Sequence, residues 1–258
     1  MPKPDYGVDA PNVIRNLVAV GSILLVVFLL SLGGILPREF VGRPFGLIGL
    51  RFPLGVNTLI MAAAFLGAAA WMYFSSTVGK VAERDRFLSR IEWAGHERVL
   101  DVGCGRGLLL VGVAKRLTDG RAVGIDIWQA EDLSGNRAEV PRQNAALEGV
   151  ADRVFVHTAD MRRLPFRSGA FDAIVSRAAI HNLYSAADRA MAIKEIARVL
   201  KPGGRALIAD IRHHREYART FAESGCDDVR LLGSPIVSAL FAVVTLGNLR
   251  PNTMLVKK

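Results

Sequence analysis

The segment VLDVGCGRG, residues 99–107, constrains the fold of this chain more than any other stretch. A short apolar run with the composition of a buried strand leads directly into glycines at positions 103, 105 and 107. Glycine accepts a positive φ and carries no Cβ, so a turn with three of them lets a ligand approach the backbone closely. The dinucleotide fingerprint GxGxxG would need glycine at position 108, where the chain has Leu108. The segment therefore predicts a strand, a ligand-binding turn and a helix, with a spacing that differs from that fingerprint.

Strand and helix patterns alternate along the chain after Arg98. The strand-like runs are RVLDVG, AVGIDI, RVFVHTA, FDAIVS and RALIADI, and the clearest helix-like runs are GLLLVGVAKRL and AADRAMAIKEIARVL. Such alternation is typical of an α/β fold with a doubly wound, mostly parallel sheet and helices on both faces. In this architecture ligands bind beyond the carboxyl ends of the strands, where the strand order reverses.

Carboxylates follow three successive predicted strands. Asp101 lies near the end of the first, Asp126 ends the second, and Asp160 follows the third. A carboxylate after the second strand can accept both hydrogen bonds of a ribose diol. Three acidic residues at three strand ends predict one shared binding site rather than a solvated face.

In this order and spacing, VLDVGCGRG, GIDIW, ADMRRLPF, FDAIVSRAAIHNL and EIARVLKPGGR resemble the motif series of class I S-adenosylmethionine-dependent methyltransferases. The branch with quinone and sterol methyltransferases is the most similar. The resemblance covers about residues 95–258 and none of the first 78. It implies a Rossmann-like fold and S-adenosyl-L-methionine as cofactor, and it says little about the acceptor.

The resemblance also implies roles for individual residues. The methionine part of the cofactor would be held by Asp101, Gly103, Cys104, Gly105 and Gly107. The rest of the cofactor would be contacted by Asp126 at the ribose, Ile127 or Trp128 beside the adenine ring, Asp160 and Met161 at the adenine edge, and Ser176 near the methionyl end. Cys104 has no basic partner that the sequence identifies, so we interpret it as a turn residue rather than a nucleophile.

The C-terminal part of the resemblance implies an antiparallel pair of strands, which DVRLLG and TMLVKK fit. Between them, residues 235–249 form an apolar insert that is too short to span a membrane. Core, active-site lid and membrane contact are all open interpretations of this insert. Pro141 falls where a helix interior is expected, so a helix there either kinks or begins near it.

His181, in AAIHNL after the fourth strand, is the candidate catalytic residue. A histidine titrates near neutrality, so it could accept a proton from the acceptor or orient it. A histidine at a helix start or in the core is the open alternative. No spacing of cysteines and histidines resembles a zinc site, so we predict no metal.

The first 78 residues have a different character. Residues 17–36 and 54–78 are uncharged, and each run is long enough to cross a hydrocarbon core of about 30 Å. We predict a transmembrane hairpin over residues 1–78, since a cleaved signal peptide would show a small-residue cleavage site and no second span. Residues 79–94 predict a linker helix that packs against the sheet or lies on lipid headgroups. Basic residues before the first run and after the second outnumber Arg38, Arg43 and Arg51 between the runs, which favours a cell-membrane location with the catalytic domain on the cytoplasmic side.

A hairpin joined to a methyltransferase-like domain predicts a membrane-anchored enzyme whose partners are the lipid bilayer and a lipophilic acceptor, such as a quinone precursor or a lipid. The alternatives are a cofactor-binding scaffold or sensor without catalysis, and a methyltransferase of a soluble small molecule or protein. The net charge of +9 would suit nucleic acid, but no interleaving of aromatic and basic residues supports that partner. The sequence does not indicate an oligomeric state.

Overall fold

The computed structural model describes residues 2–37, 39–42, 50–129, 133–245 and 248–258. The chain forms two compact units. The larger, which we call the α/β unit, comprises Met1–Tyr6, Val81–Ala130 and Gly135–Lys258. The smaller, the hairpin unit, comprises Gly7–Lys80 and Glu131–Ser134.

Two long apolar helices build the hairpin unit. α1 spans Pro11–Leu32 and α2 spans Leu54–Phe74. Between them, β1 (Glu39–Gly42) and β2 (Leu50–Pro53) pair antiparallel. α1 begins at Pro11, six residues before the predicted start, because proline suits the first helical turn, where its missing N–H has no intrahelical partner. Both helices are long and apolar enough to cross a membrane.

Small side chains form the contact between α1 and α2. A Cβ added at Gly21 would lie 2.8 Å from Leu66 Cγ, and Ala62 is fully buried. The large apolar side chains point outward instead, with Ile23 63% and Ile60 61% exposed. This distribution is the reverse of a helical pair in a soluble core, which buries its large apolar residues.

The second apolar helix continues toward the α/β unit. A π-helical turn, Ser75–Gly79, leads directly into α3 (Lys80–Leu88). The helix ends at Leu88, earlier than the predicted linker over residues 79–94, and Trp93 Nε1 donates a hydrogen bond to the Leu88 carbonyl. Phe87 and Leu88 are buried in the core of the α/β unit. α3 therefore packs against the sheet, as one of the two interpretations of the linker expected.

Among the described residues, seven strands form the sheet of the α/β unit. They are β3 (Arg98–Val102), β4 (Arg121–Asp126), β5 (Val154–Thr158), β6 (Phe171–Arg177), β7 (Leu200–Asp210), β8 (Asp228–Leu231) and β9 (Asn252–Lys257). Their order is β5-β4-β3-β6-β7-β9-β8, and β9 runs antiparallel between β7 and β8. The predicted Rossmann-like sheet, mostly parallel with an antiparallel C-terminal strand, is confirmed. Its strand order reverses between β3 and β6, where this fold class binds ligands.

Helices cover both faces of the sheet. α4 (Leu108–Ala114) and α5 (Glu139–Leu147) lie with α3 on one face, and α6 (Ala186–Val199) and α7 (His214–Glu223) lie on the other. β3 is apolar on both sides because Val99 packs on the face covered by α3, α4 and α5, while Leu100 and Val102 pack on the face covered by α6 and α7. Pro141 lies in the first turn of α5, so that helix begins near it rather than kinking.

The apolar C-terminal insert folds as α8 (Pro235–Val244) between β8 and β9. The hydroxyl of Ser234 caps its first turn by accepting a hydrogen bond from the Val237 backbone N–H. None of residues 235–243 is buried. The interpretation of this insert as core does not fit that exposure.

Candidate active site at the carboxyl edge of the sheet

The glycine turn after β3 has the conformation that its sequence predicts. Gly103, Gly105 and Gly107 all have positive φ, at 72°, 50° and 86°. The backbone N–H groups of Gly103 and Cys104 both donate to the Ile125 carbonyl at 2.9 Å, which fixes the turn against the end of β4. A Cβ at position 103 would lie 2.4 Å from the Ala179 side chain, so glycine is required there by packing as well as by φ.

Asp101 is the most unusual group at this edge. Asp101 is 2% exposed, and neither of its carboxylate oxygens has a hydrogen-bond partner among the described residues. Burial is the largest cause that raises the pKa of Asp101 to about 8, and the nearby charge of Asp126 is the second. The Leu110 backbone N–H lowers this pKa by a smaller amount, because it does not reach hydrogen-bonding geometry. A buried carboxyl group without a partner is costly unless a ligand supplies one. A cationic ligand group beside Asp101 would do so, and the ammonium of a methionyl group fits that requirement.

Asp126 connects the ends of two strands. Its Oδ2 accepts the Gly105 N–H at 2.8 Å, and its Oδ1 accepts the Trp128 N–H at 2.7 Å. The Asn136 amide also donates to Oδ1, at 3.3 Å. Asp126 therefore ties the glycine turn to the chain that follows β4, and its contact with a ribose stays a prediction.

Asn136 is a candidate site residue that is absent from the residues implied by the family motifs. The motif SGN, residues 134–136, carried a signal for it, since such a turn before a helix brings an amide close to the strand end. Besides Asp126, its amide donates to the Gln129 carbonyl at 3.1 Å. Its own side-chain oxygen is buried without a partner among the described residues, so it can accept one further hydrogen bond.

The third predicted carboxylate, Asp160, is engaged in an ion pair. Arg162 holds both its oxygens, with Nη2 2.6 Å from Oδ2, and also reaches Asp188. The hydrogen bond from Arg162 lowers the pKa of Asp160. Met161 lies over the glycine turn, because its terminal methyl would be 3.7 Å from a Cβ at position 103. The residues after β3 and β5 thus lie close together, as predicted. The ion pair of Arg162 with Asp160 was not predicted.

Two of the predicted cofactor residues point their side chains into the protein. Burial, followed by the charges of Asp101 and Asp126, raises the pKa of the Cys104 thiol, whose side chain belongs to a core cluster. It is therefore a protonated thiol, and only the Cys104 backbone can face a ligand. Ser176 is buried as well, and its hydroxyl donates to the Val102 carbonyl at 2.8 Å. This bond joins β3 to β6 at the switch point, and contact of Ser176 with a ligand stays a prediction.

Two residues after β4 present surfaces to the edge. Ile127 is 46% exposed, which is high for an isoleucine in the α/β unit. Trp128 has a positive φ of 62°, and its indole N–H donates to Thr158 Oγ1 at 2.7 Å. Ala178 and His213, which follow β6 and β7, share this uncommon conformation. Such backbone strain at successive strand ends is typical of functional sites.

His181 lies next to a buried carboxylate. It occupies a 3₁₀ turn, Ile180–Asn182, after β6, and its Nδ1 is 2.5 Å from Oδ1 of Asp210, although the contact is not aligned as a hydrogen bond. The His181 backbone N–H donates to Asp210 Oδ2 at 3.0 Å, and the Tyr217 hydroxyl donates to the same oxygen at 3.2 Å. Asp210 therefore positions both the backbone and the ring of His181.

Sequence reasoning missed the contribution of Asp210 and Tyr217. A signal for Asp210 was present, because it ends the strand RALIADI as Asp126 ends AVGIDI. Tyr217 lies on the buried side of α7, seven residues further on, and no local pattern relates it to His181. Burial, followed by the charge of Asp210, raises the pKa of Tyr217, so its hydroxyl stays a hydrogen-bond donor.

The first residues of the chain also contribute to this edge. The Asp5 carboxylate pairs with Arg106 of the glycine turn at 2.5 Å. Asn144 of α5 accepts the Asp5 N–H at 3.0 Å and donates to the Asp5 carbonyl at 2.8 Å. The Tyr6 hydroxyl donates to Glu148 at 3.2 Å. We call residues 2–6 the N-terminal arm; it braces the outside of the glycine turn, a contact that no sequence pattern predicted.

Comparisons with known proteins agree with this geometry. Residues 100–208 match a family described as a methyltransferase domain. A demethylmenaquinone methyltransferase of Lactiplantibacillus plantarum is 33% identical over 123 residues, which cover 47% of this chain and 48% of that protein. A sterol 4-C-methyltransferase of Caenorhabditis elegans is 33% identical over 131 residues, covering 50% of this chain and 35% of that protein. The chain thus spans about half or less of the length of these relatives.

A solved structure shares the fold. The geranyl diphosphate C-methyltransferase of Streptomyces coelicolor A3(2), determined with Mg²⁺, geranyl diphosphate and S-adenosyl-L-homocysteine, superimposes with a TM-score of 0.54 at 18% identity. The match covers 76% of this chain and 83% of that chain. The solved structure shows that the chain shares the fold of such an enzyme. Residues 100–208 therefore carry a methyltransferase domain of the S-adenosylmethionine-dependent class, with S-adenosylmethionine as its cofactor.

Proposed function

We propose that this chain is a membrane-anchored methyltransferase that transfers the methyl group of S-adenosylmethionine to a lipophilic acceptor, either a quinone precursor or a lipid. The observation that carries the proposal is the construction of the hairpin unit. Its helices bury small residues such as Gly21 and Ala62 and expose large apolar ones such as Ile23 and Ile60. In water this arrangement would be unfavourable, whereas in a bilayer the exposed side chains contact lipid and the small ones allow close helix packing.

The path of the chain supports a hairpin with both ends on one side of the membrane. The N-terminal arm precedes α1 and packs on the α/β unit through Asp5 and Tyr6. The chain returns to the same unit at Val81, after α2. An even number of crossings between these points satisfies both contacts. The cations at this end outnumber the three of the connecting segment, Arg38, Arg43 and Arg51, which favours the cytoplasm by the positive-inside rule. They are Lys3, Arg15, Lys80, Arg84, Arg86 and Arg90.

The residues of the edge suit the parts of the cofactor. Asp101 would accept the ammonium of the methionyl group, and Asp126 would accept the ribose hydroxyls. Ile127 would form an apolar wall for the adenine ring, and the glycine turn leaves room for the ligand to approach the backbone. The cofactor itself supplies a methyl group on a sulfonium, which is already a strong electrophile. The chain therefore has to align the acceptor, exclude water and remove a proton where the acceptor carries one.

We infer that His181 removes that proton. Its Nδ1 is buried against Asp210, so the exposed 18% of its side chain lies elsewhere on the ring, and Nε2 is the nitrogen available to an acceptor. A carboxylate beside Nδ1 favours the tautomer with the proton on Nδ1, which leaves the lone pair of Nε2 to accept a proton from the acceptor. The buried carboxylate of Asp210 beside the ring favours this role over the alternative, in which His181 only begins a helical turn.

The names of the relatives support a lipophilic acceptor. One is a demethylmenaquinone methyltransferase and another a sterol methyltransferase, so the matched domain occurs in enzymes whose named substrates are apolar. A bilayer anchor would restrict the search for such an acceptor to two dimensions.

The test is transfer of labelled methyl from S-adenosylmethionine to total lipid extract by the detergent-purified full chain, resolved by mass spectrometry. We expect a lipid species heavier by one methyl group, lost with His181→Ala. His96→Ala is the matched control, because His96 is exposed and precedes β3 at the opposite end of the sheet. Label that appears only in soluble compounds or in protein would contradict the lipophilic acceptor. Cofactor binding with no label in any fraction would contradict catalysis.

A further inference from the structure

α8 is the most apolar exposed element of the α/β unit. Its sequence, PIVSALFAVV, carries no charge, and its large side chains are open to solvent. Ile236 is 78% exposed and Val243 is 74% exposed, and Val237, Leu240 and Phe241 are exposed as well. A surface helix normally buries one apolar stripe and keeps a polar face. α8 has neither feature among residues 235–243.

The length of α8 limits what can surround it. Ten helical residues extend about 15 Å, half of a hydrocarbon core of about 30 Å. It therefore cannot span a bilayer. At about 100° per residue, the exposed positions cover about 240° of the circumference of α8, and of residues 235–243 only Ser238 and Ala242, on the remaining side, are partly covered. Lipid chains, which contact the whole of such a surface, match this distribution better than a protein groove, which would cover one stripe.

α8 is held at the same end of the sheet as the candidate active site. β9 begins with Asn252 opposite Asp210, so the chain leaves α8 and enters the sheet beside the carboxyl end of β7. The Leu232 N–H donates to the Thr253 carbonyl at 2.7 Å, and the Arg250 N–H donates to the Ile211 carbonyl at 2.8 Å. Both ends of the insert are thus fixed to the edge that carries Asp210, the partner of His181.

Arginines surround the base of α8. Arg90 is exposed and its Nη1 lies 3.4 Å from the Leu232 carbonyl, just before the helix. Arg250 follows the helix, and its backbone bond to Ile211 places it beside exposed Arg212. Cations next to an apolar insertion are attracted to the surface of a membrane that contains anionic lipid.

We propose that α8 with Arg90, Arg212 and Arg250 forms a docking surface for an anionic lipid bilayer. α8 inserts among the acyl chains while the three guanidinium groups lie at the phosphates. The carboxyl edge of the sheet, with His181, then faces the membrane surface, so an acceptor can reach the site without crossing water. This inference rests on the proposed function, in which the hairpin unit is the membrane anchor. It adds a contact with lipid that the α/β unit makes separately from the hairpin unit.

The test measures the surroundings of α8 in the full chain. Leu240→Cys is labelled with an environment-sensitive fluorophore, and the protein is reconstituted in nanodiscs of phosphatidylcholine with phosphatidylglycerol. Cys104 and Cys226 are buried, and labelling of the unsubstituted chain measures their background. Leu147→Cys is the matched control, because Leu147 is an exposed leucine at the end of α5, before β5 and away from the carboxyl edge.

We expect blue-shifted emission at position 240 and several-fold stronger quenching by lipids with a doxyl group on the acyl chain than at position 147. Replacing both Arg212 and Arg250 by glutamine should reduce this quenching in anionic nanodiscs and leave it nearly unchanged in pure phosphatidylcholine.

Emission at position 240 as water-exposed as at position 147 would overturn the inference. Blue-shifted emission without quenching by labelled lipid would also overturn it, since α8 would then be covered by protein. Methylation is measured separately on the same preparations. Labelled lipid without insertion of α8 would remove the docking surface alone, and insertion without labelled lipid would remove the proposed acceptor alone.

Discussion

Replacing Asp101 by asparagine should make the stability of the protein less dependent on pH. In the folded protein without ligand, burial raises the pKa of Asp101 from 3.8 to about 8. Between these two values the folded state holds a proton that the unfolded state has released, so stability falls as pH rises. The fall is about 1.4 kcal/mol per pH unit, or about 2–3 kcal/mol between pH 5 and pH 7.

The assay is thermal unfolding of the detergent-purified chain across that interval. For a domain of this size, 1 kcal/mol corresponds to about 2–4 °C, so the melting temperature of the original protein should fall about 5–10 °C more than that of Asp101→Asn. Asp152→Asn serves as control, since Asp152 is an exposed carboxylate far from the glycine turn in sequence. Saturating S-adenosylmethionine should flatten the curve of the original protein, because a cation beside Asp101 favours its ionised form.

Parallel melting curves for the original protein and Asp101→Asn from pH 5 to pH 7 would refute the reasoning. They would mean that the carboxyl group is solvated or paired in solution. A cofactor that binds Asp101→Asn as tightly as the original protein would refute the assignment of the ammonium to Asp101.

Three further predictions concern the same edge. Asp126→Ala removes charged hydrogen bonds worth about 1.5–3 kcal/mol each, so calorimetry should show affinity for S-adenosylmethionine weakened at least about tenfold; an unchanged Kd would reject the ribose assignment. His181→Ala should lower kcat about 10²–10⁴-fold with cofactor affinity retained, and Asp210→Asn should reproduce most of that loss and alter the pH profile; normal turnover across pH in both variants would make the histidine structural. Arg162→Gln should tighten cofactor binding a few-fold, because it frees Asp160 for the adenine edge, and weaker binding would mean that Arg162 itself holds the ligand.

The parts of the fold that sequence predicts are those set by local pattern. β3 is apolar on both faces, the glycines at positions 103, 105 and 107 allow the positive φ of the turn, and Asp126 ends an apolar strand-like run. Long-range contacts were not predictable in this way. The Asp210 carboxylate accepts hydrogen bonds from Tyr217, on the buried side of α7, and from His181, which follows the neighbouring strand β6. Only the folded sheet brings these three residues together.

The ends of the apolar helices show the same limit. The uncharged runs show which residues lack charge, but a helix can extend past them into charged residues until a capping or helix-breaking residue ends it. α1 extends back to Pro11 past Arg15, and α2 continues through a π-helical turn into the charged α3. The ion pair between Arg162 and Asp160 likewise could not be predicted from the motif ADMRRLPF, because the motif does not fix which of its side chains contact each other.

The N-terminal arm has a consequence for the order in which the protein assembles. Asp5 is made before the hairpin, yet its partner Asn144 lies 139 residues later, so the arm has nothing to bind until the hairpin and the chain through α5 have been synthesised. Closing so long a loop is entropically expensive and is favoured only once α5 and the turn at Arg106 are folded. Docking of the arm therefore follows synthesis of the hairpin, and a fusion or cleavage near residue 5 would leave the hairpin intact while loosening the glycine turn.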